Sequence, residues 1–256
     1  MKIKALTRKI DTVYKLMTGE FSVDKNNKIV EKDMDKEFAP LYNLCHPYTM
    51  TSVRAMYALY EAVKYVIKYK IEGDFIECGV WKGGSAMLMA ATLDSLKCYD
   101  RKIYLYDTFE GMSEPSDADE NINGEKAMKK YSRLKINEKT NLWCFSPLEE
   151  VKQNFEQINY PKENIVFVKG KVEDTIVGFP HKAISILRLD TDWYESTYHE
   201  LIHLYPCLVS NGILIIDDYG AWKGAASAVD QYFKEQNLSL FLHRIDESPR
   251  LAVKVI

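Results

Sequence analysis

From residue 74 onward, short and nearly continuous apolar runs alternate with longer stretches whose apolar residues recur every three or four positions. The runs are residues 74–80, 102–107, 164–169, 183–190 and 212–217, each ending at or beside a glycine or an aspartate. Apolar runs of that length read as strands buried on both faces, as in a parallel sheet. The helical stretches lie at 86–96, 146–157, 195–208 and 221–236. Strands alternating with helices predict an α/β, doubly wound, mostly parallel sheet. The tail, 238–242 and 250–256, reads as two more strands joined by an Asp-Glu-Ser-Pro turn. That makes seven strands, closed by an antiparallel hairpin at one edge.

Residues 1–70 read as a helical extension ahead of the 71–256 domain, with no repeat or linker between them. Val53, Met56, Tyr57, Tyr60, Val63 and Ile67 share one face of a helix over 52–70, an amphipathic pattern that could join two copies into a homo-oligomer. Residues 109–139 break the rhythm. They are polar, charged and dotted with Gly, Pro and Asn, far longer than the usual βα connection. A segment of that kind beside a strand end is expected to act as a lid.

Composition narrows the class. With 256 residues and 46% apolar content, one domain can bury a full core. A net charge of -3 gives no basic surface for gripping nucleic acid. No apolar run approaches the ~18 residues of a membrane span, and the start carries no signal-peptide pattern. Cys45, Cys78, Cys98, Cys144 and Cys207 are odd in number and scattered, which fits reduced thiols in a cytoplasmic protein.

The first strand runs into ECGVWKGGS, residues 77–85, where the cofactor of an open parallel sheet is expected. The turn lacks the G-x-G-x-x-G of dinucleotide folds and the lysine of a P-loop. Gly79 and Gly83 let backbone approach a ligand, and Ser85 can hydrogen-bond it. Glu77 would repel a pyrophosphate but welcome a cationic amino-acid tail, which points to a sulfonium nucleoside. Asp107, ending the second strand, is placed to accept from two ribose hydroxyls. Asp174 is placed for an adenine edge, or equally for capping a short helix.

Two further strands end in acids, Asp190 with Asp192 and Asp217 with Asp218. If those strands are neighbours, Asp190, Asp217 and Asp218 converge, and crowded carboxylates favour a hard cation such as Mg²⁺. A substrate hydroxyl on such a cation becomes more acidic, and Asp192 is the candidate general base. His199 and His203 fall inside the following helix and read as surface or packing residues.

Taken together, these stretches resemble the macrocin O-methyltransferase family. The likeness rests on YTMTS at 48–52 with Arg54, GDFIECGVWKGGS at 73–85, YDTFEGMS at 106–113, RLDTDWYEST at 188–197 and IDDYG at 216–220. It implies a class I, Rossmann-like methyltransferase using S-adenosylmethionine and Mg²⁺ on a sugar or glycosylated small molecule. It implies Asp190, Asp217 and Asp218 as metal ligands and Asp192 as base. It also places Thr51, Glu77, Gly79, Gly83, Ser85, Asp107, Ser113 and Asp174 at the cofactor. Residues 1–45 match no pattern within that resemblance. Two other readings stand beside it: an NAD-linked sugar-modifying oxidoreductase, and an inactive methyltransferase-like binding module. The first turn argues against the former, and the intact set of aspartates argues against the latter.

Overall fold

The computed structural model describes residues 21–23, 29–31, 33–178 and 181–255. The helical reading of residues 1–20 lies outside them. Where helix was also expected, β1 (Phe21–Val23) pairs antiparallel with β2 (Ile29–Glu31). Both are rich in β-branched or aromatic residues and flank the turn-favouring sequence DKNNK, so local propensity explains the departure. Helices α1 (Phe38–Cys45) and α2 (Val53–Lys68) follow. Ser52 caps α2 by accepting from the Ala55 N–H at 3.2 Å.

The main sheet contains β3 (Asp74–Cys78), β4 (Ile103–Asp107), β5 (Ile165–Lys169), β6 (Ile184–Leu189), β7 (Leu208–Ile216), β8 (His243–Arg244) and β9 (Arg250–Val253). Their spatial order is β5-β4-β3-β6-β7-β9-β8. The first five are parallel, and β9 runs antiparallel to both neighbours. The closing hairpin is therefore present, but its outer arm is His243–Arg244 rather than 238–242. The tight 245–249 turn, closed by Ile245 N–H to the Pro249 carbonyl, sets which residues face β9.

Helices cover both faces, as a doubly wound sheet requires. One core joins α1, α2, α3 (Gly84–Ser95) and α5 (Leu148–Phe155) to Phe75, Leu105, Ile186 and Ile215. The other joins α7 (Tyr194–Leu204) and α8 (Lys223–Glu235) to Ile76, Leu187, Leu189 and Leu214. Helix α3 is buried from Gly84 through Leu93, the position of a helix that is apolar all round. The apolar face of α2 (Met56, Leu59, Tyr60, Val63, Val66) belongs to that same core. Its periodicity is thus explained inside one chain and is no argument for a dimer.

The expected lid segment carries α4 (Ala127–Leu134) and folds onto a small cluster of Ala127, Tyr131, Trp143 and Trp193. Among the described residues, no helix is long and apolar enough to cross a membrane.

Candidate active site

Strand β3 has β4 on one side and β6 on the other, so the side on which successive strands are added switches there. The crevice beyond the strand carboxyl ends at such a point is where ligands of open sheets bind. Two cavities occupy it. One, of about 420 Å³, lies against Tyr106, Asp107, Ser113, Val172 and Glu173. The other, of about 970 Å³, lies against Thr51, Ser85, Trp81, Trp143, Trp222 and the four aspartates 190, 192, 217 and 218. Gly79, Asp107, Gly111, Met112 and Asp190 line both, so they form one cleft.

Parallel pairing of β6 with β7 sets Leu189 opposite Ile216, which brings the acids after each strand together. Asp190, Asp217 and Asp218 each offer an oxygen within 4.8 Å of the others. Asp218 is buried and its Oδ2 has no hydrogen-bond partner. An orphaned buried carboxylate oxygen beside two more acids suits a hard cation. Asp192 stands over this group at φ 68°, a left-handed conformation costly for a residue with a Cβ. Burial first, then the Asp190 charge, hold its carboxyl up to about 7.

The repulsion expected among these acids is partly answered by a residue that the sequence reading passed over. Arg188 is 1% exposed. Its Nη1 donates to Glu77 Oε1 at 2.6 Å and Asp190 Oδ2 at 2.7 Å. Its Nη2 donates to Asp217 Oδ1 at 2.6 Å and Thr51 Oγ1 at 3.0 Å. The signal was available, because a lone positive charge inside a mostly apolar buried strand needs carboxylate partners.

The cofactor candidates divide. Ser113 lies on the wall of the smaller cavity, Thr51 and Ser85 on that of the larger, and Asp107 on both. Asp107 also binds backbone: Oδ2 accepts from Val80 N at 2.7 Å and Trp81 N at 3.0 Å, and Oδ1 from Phe109 N at 2.6 Å. It therefore shapes the first turn as well as facing the cleft. Gly79 faces the cleft, but its main reason is packing. A Cβ there would come 1.9 Å from the Asp190 carbonyl oxygen.

Three candidates are not on the cleft wall. Glu77 lies under it, engaged by Arg188, with Oε2 buried and unpartnered. Burial raises the Glu77 carboxyl to about 7 against the opposing pull of Arg188. Gly83 faces away, and its missing Cβ makes room for Phe155. Asp174 is exposed and lines an adjoining cavity, inside the first turn of α6 (Val172–Thr175) rather than capping it. Its neighbour Glu173 reaches the wall of the smaller cavity instead and accepts from Ser196 Oγ at 2.7 Å.

Aromatic residues complete the larger cavity. Trp143, Trp193 and Trp222 pack at 5.0–5.8 Å between ring centres, and Lys130 of α4 sits 3.9 Å over Trp143. Cys144 also lines this cavity, but burial pushes its thiol up to about 12, so it is no nucleophile. His199 and His203 lie against each other on α7, outside the cleft-lining set.

Comparison with known proteins matches residues 4–251 to the family described as Macrocin-O-methyltransferase (TylF). The match takes in nearly all of residues 1–45, which the motifs alone left unplaced. The chain is 31% identical over 202 residues to the demethyldecarbamoylnovobiocin O-methyltransferase of Streptomyces niveus, covering 78% of this chain and 72% of that protein. It is 32% identical over 199 residues to the 8-demethyl-8-(2,3-dimethoxy-alpha-L-rhamnosyl)-tetracenomycin-C 4'-O-methyltransferase of Streptomyces olivaceus, with the same coverage of 78% and 72%. Among solved structures, the O-methyltransferase NovP superposes with a TM-score of 0.73 at 29% identity, over 82% of this chain and 83% of that one.

Proposed function

We propose that this chain, which belongs to the macrocin O-methyltransferase family, transfers a methyl group from S-adenosylmethionine to a hydroxyl of a sugar in a glycosylated small molecule. The curated relatives are themselves named O-methyltransferases, one of them by a substrate that carries a rhamnosyl group. The observation that carries the reading is the single cleft: a cavity against Asp107 and Glu173 for the cofactor, opening at Gly79 onto a second with acids and tryptophans for the acceptor.

Asp190, Asp217 and Asp218 would hold Mg²⁺, a set that fits by its hard oxygen donors and by the unpartnered Asp218 Oδ2. When bound, the ion would supply Lewis-acid polarisation of a substrate oxygen. Asp192 takes the acceptor's hydroxyl proton. The hydroxyl oxygen forms the new bond to the methyl carbon, and the sulfur–methyl electron pair stays on sulfur, leaving neutral S-adenosylhomocysteine. Trp143 and Trp222 offer aromatic faces for the carbon-bound hydrogens of a sugar ring, while the cleft fixes the line of attack.

The test is methyl transfer from labelled S-adenosylmethionine to a panel of glycosylated metabolites and sugar nucleotides, with Mg²⁺ and with EDTA. Transfer abolished by EDTA and restored by Mg²⁺ supports the reading. Transfer unchanged in chelator removes the metal. Thermal stabilisation by NAD⁺ but not by S-adenosylhomocysteine removes the cofactor assignment.

A further inference from the structure

Arg188 gathers side chains from four places in the fold: Glu77 on β3, Asp190 after β6, Asp217 after β7 and Thr51 ahead of α2. We infer that Arg188 is a positioning residue: its guanidinium fork orients the carboxylates of Asp190 and Asp217 so that each presents one oxygen to a divalent cation. The inference rests on the metal reading above and concerns how the ligands are held.

The geometry is specific about which oxygens are taken. Arg188 binds Oδ2 of Asp190 and Oδ1 of Asp217, leaving Oδ1 and Oδ2 respectively outside its reach. An aspartate carboxylate on its own turns about a soft terminal torsion. Once one oxygen is fixed to a rigid planar fork, the direction of the other follows. The arginine also sits on the inner side. Its side chain is 2% exposed, against 17% for Asp217 and 28% for Asp190. It therefore approaches both carboxylates from the buried side, leaving Asp190 Oδ1 and Asp217 Oδ2 without a bond to it.

Register places the fork. Glu77 and Arg188 are partners across the β3–β6 pairing, and Asp190 lies two residues beyond Arg188. Glu77 anchors the guanidinium from below. Thr51 anchors it from the segment that forms one wall of the acceptor cavity. One positive charge cannot balance Glu77, Asp190 and Asp217 together, so a negative excess remains on the cleft side, where the ion would bind. The competing role is simple neutralisation, in which any buried cation would serve.

Mn²⁺ titration of the full chain, without cofactor or acceptor, separates the two roles. It is run on wild type, Arg188→Lys and Thr51→Val, with thermal unfolding and S-adenosylhomocysteine binding alongside. Arg188→Lys keeps the charge and loses the fork. It is expected to unfold cooperatively and to bind Mn²⁺ roughly 10- to 100-fold more weakly, the usual effect of losing a group that orients a metal ligand. A folded Arg188→Lys variant with wild-type Mn²⁺ affinity overturns the inference. Should that variant not fold, Thr51→Val decides, since it removes one acceptor of the fork and no charge. Weakened Mn²⁺ binding supports the positioning role, and unchanged binding overturns it. Wild-type protein that takes up no Mn²⁺ overturns the metal reading itself, a result distinguishable from the failure of this step alone.

Discussion

Glu77 and Arg188 face each other across the β3–β6 pairing and meet in a buried ion pair of 2.6 Å, at 1% exposure each. The pair lies beneath the cleft, so its partners are the sheet and the aspartates rather than solvent. Removing Glu77 takes one charge-assisted hydrogen bond from Arg188, which keeps Asp190 and Asp217 as partners. Glu77→Ala should cost about 1.5–3 kcal/mol of unfolding free energy, read by urea denaturation. A loss under about 1 kcal/mol would show that water or a neighbouring acid replaces Glu77 at no penalty.

Asp192 is separable from the rest of the site because it lines the larger cavity of the cleft and not the smaller. Asp192→Asn should lower turnover by roughly 10²-fold or more while S-adenosylhomocysteine binds as before. Calorimetric loss of cofactor binding in that variant would place Asp192 at the cofactor instead.

Gly79 is required by its surroundings twice over. It has φ 83°, and a Cβ would lie 1.9 Å from the Asp190 carbonyl oxygen. Gly79→Ala should destabilise the fold by about 3 kcal/mol or more through strain and overpacking. A thermal midpoint within a degree or two of wild type would refute the close approach.

His181, ahead of β6, gives a pH signature away from the cleft. Burial holds its imidazole below the usual range, against a raising effect from Asp74, and the ring meets Tyr106 Oη at 2.7 Å and packs edge-on against Tyr104. A depressed folded value means the folded state resists protonation. Its contribution is full above about 6.5 and is lost as pH falls through the lower folded value. Thermal midpoints between pH 8 and 5 should therefore drop less steeply for His181→Gln than for wild type. Parallel curves would mean the ring does not titrate differently on unfolding.

Much of this was legible in the sequence, and what was missed has physical causes. Apolar runs ending at or beside a glycine or an aspartate gave the five parallel strands, and the acids after β6 and β7 gave the cluster, because strand ends in a parallel sheet converge by topology. Arg188 was lost because a single charge in an apolar run does not disturb the strand pattern, and its partners lie 111 and 137 residues away in Glu77 and Thr51. Gly83 and Gly79 were read as clearing space for a ligand. The structure gives that space to Phe155 and to Asp190. Asp174 was named where Glu173 lines the cleft, because one residue's rotation on a four-residue helix decides which one faces inward. The strands at 21–23 and 29–31 are runs of three residues each, too short to stand out in a stretch read as helical.

Asp119 has a mechanical consequence for traffic through the cleft. Its buried carboxylate accepts from Ser116 N at 2.7 Å and Ser116 Oγ at 2.8 Å within the 109–139 segment, and from Tyr194 N at 2.9 Å at the start of α7. Swinging that segment away as a flap would break the Tyr194 bond, along with those of Trp193 Nε1 to the Ser113 carbonyl at 3.0 Å and of Lys223 N to the Glu120 carbonyl at 2.9 Å. Molecules should instead pass by way of residues 48–51, where Met50 is 66% exposed. Hydrogen exchange ought to find the backbone at 48–51 quicker to open than that at 116–127, so the gate and the roof of the chamber are different pieces of chain.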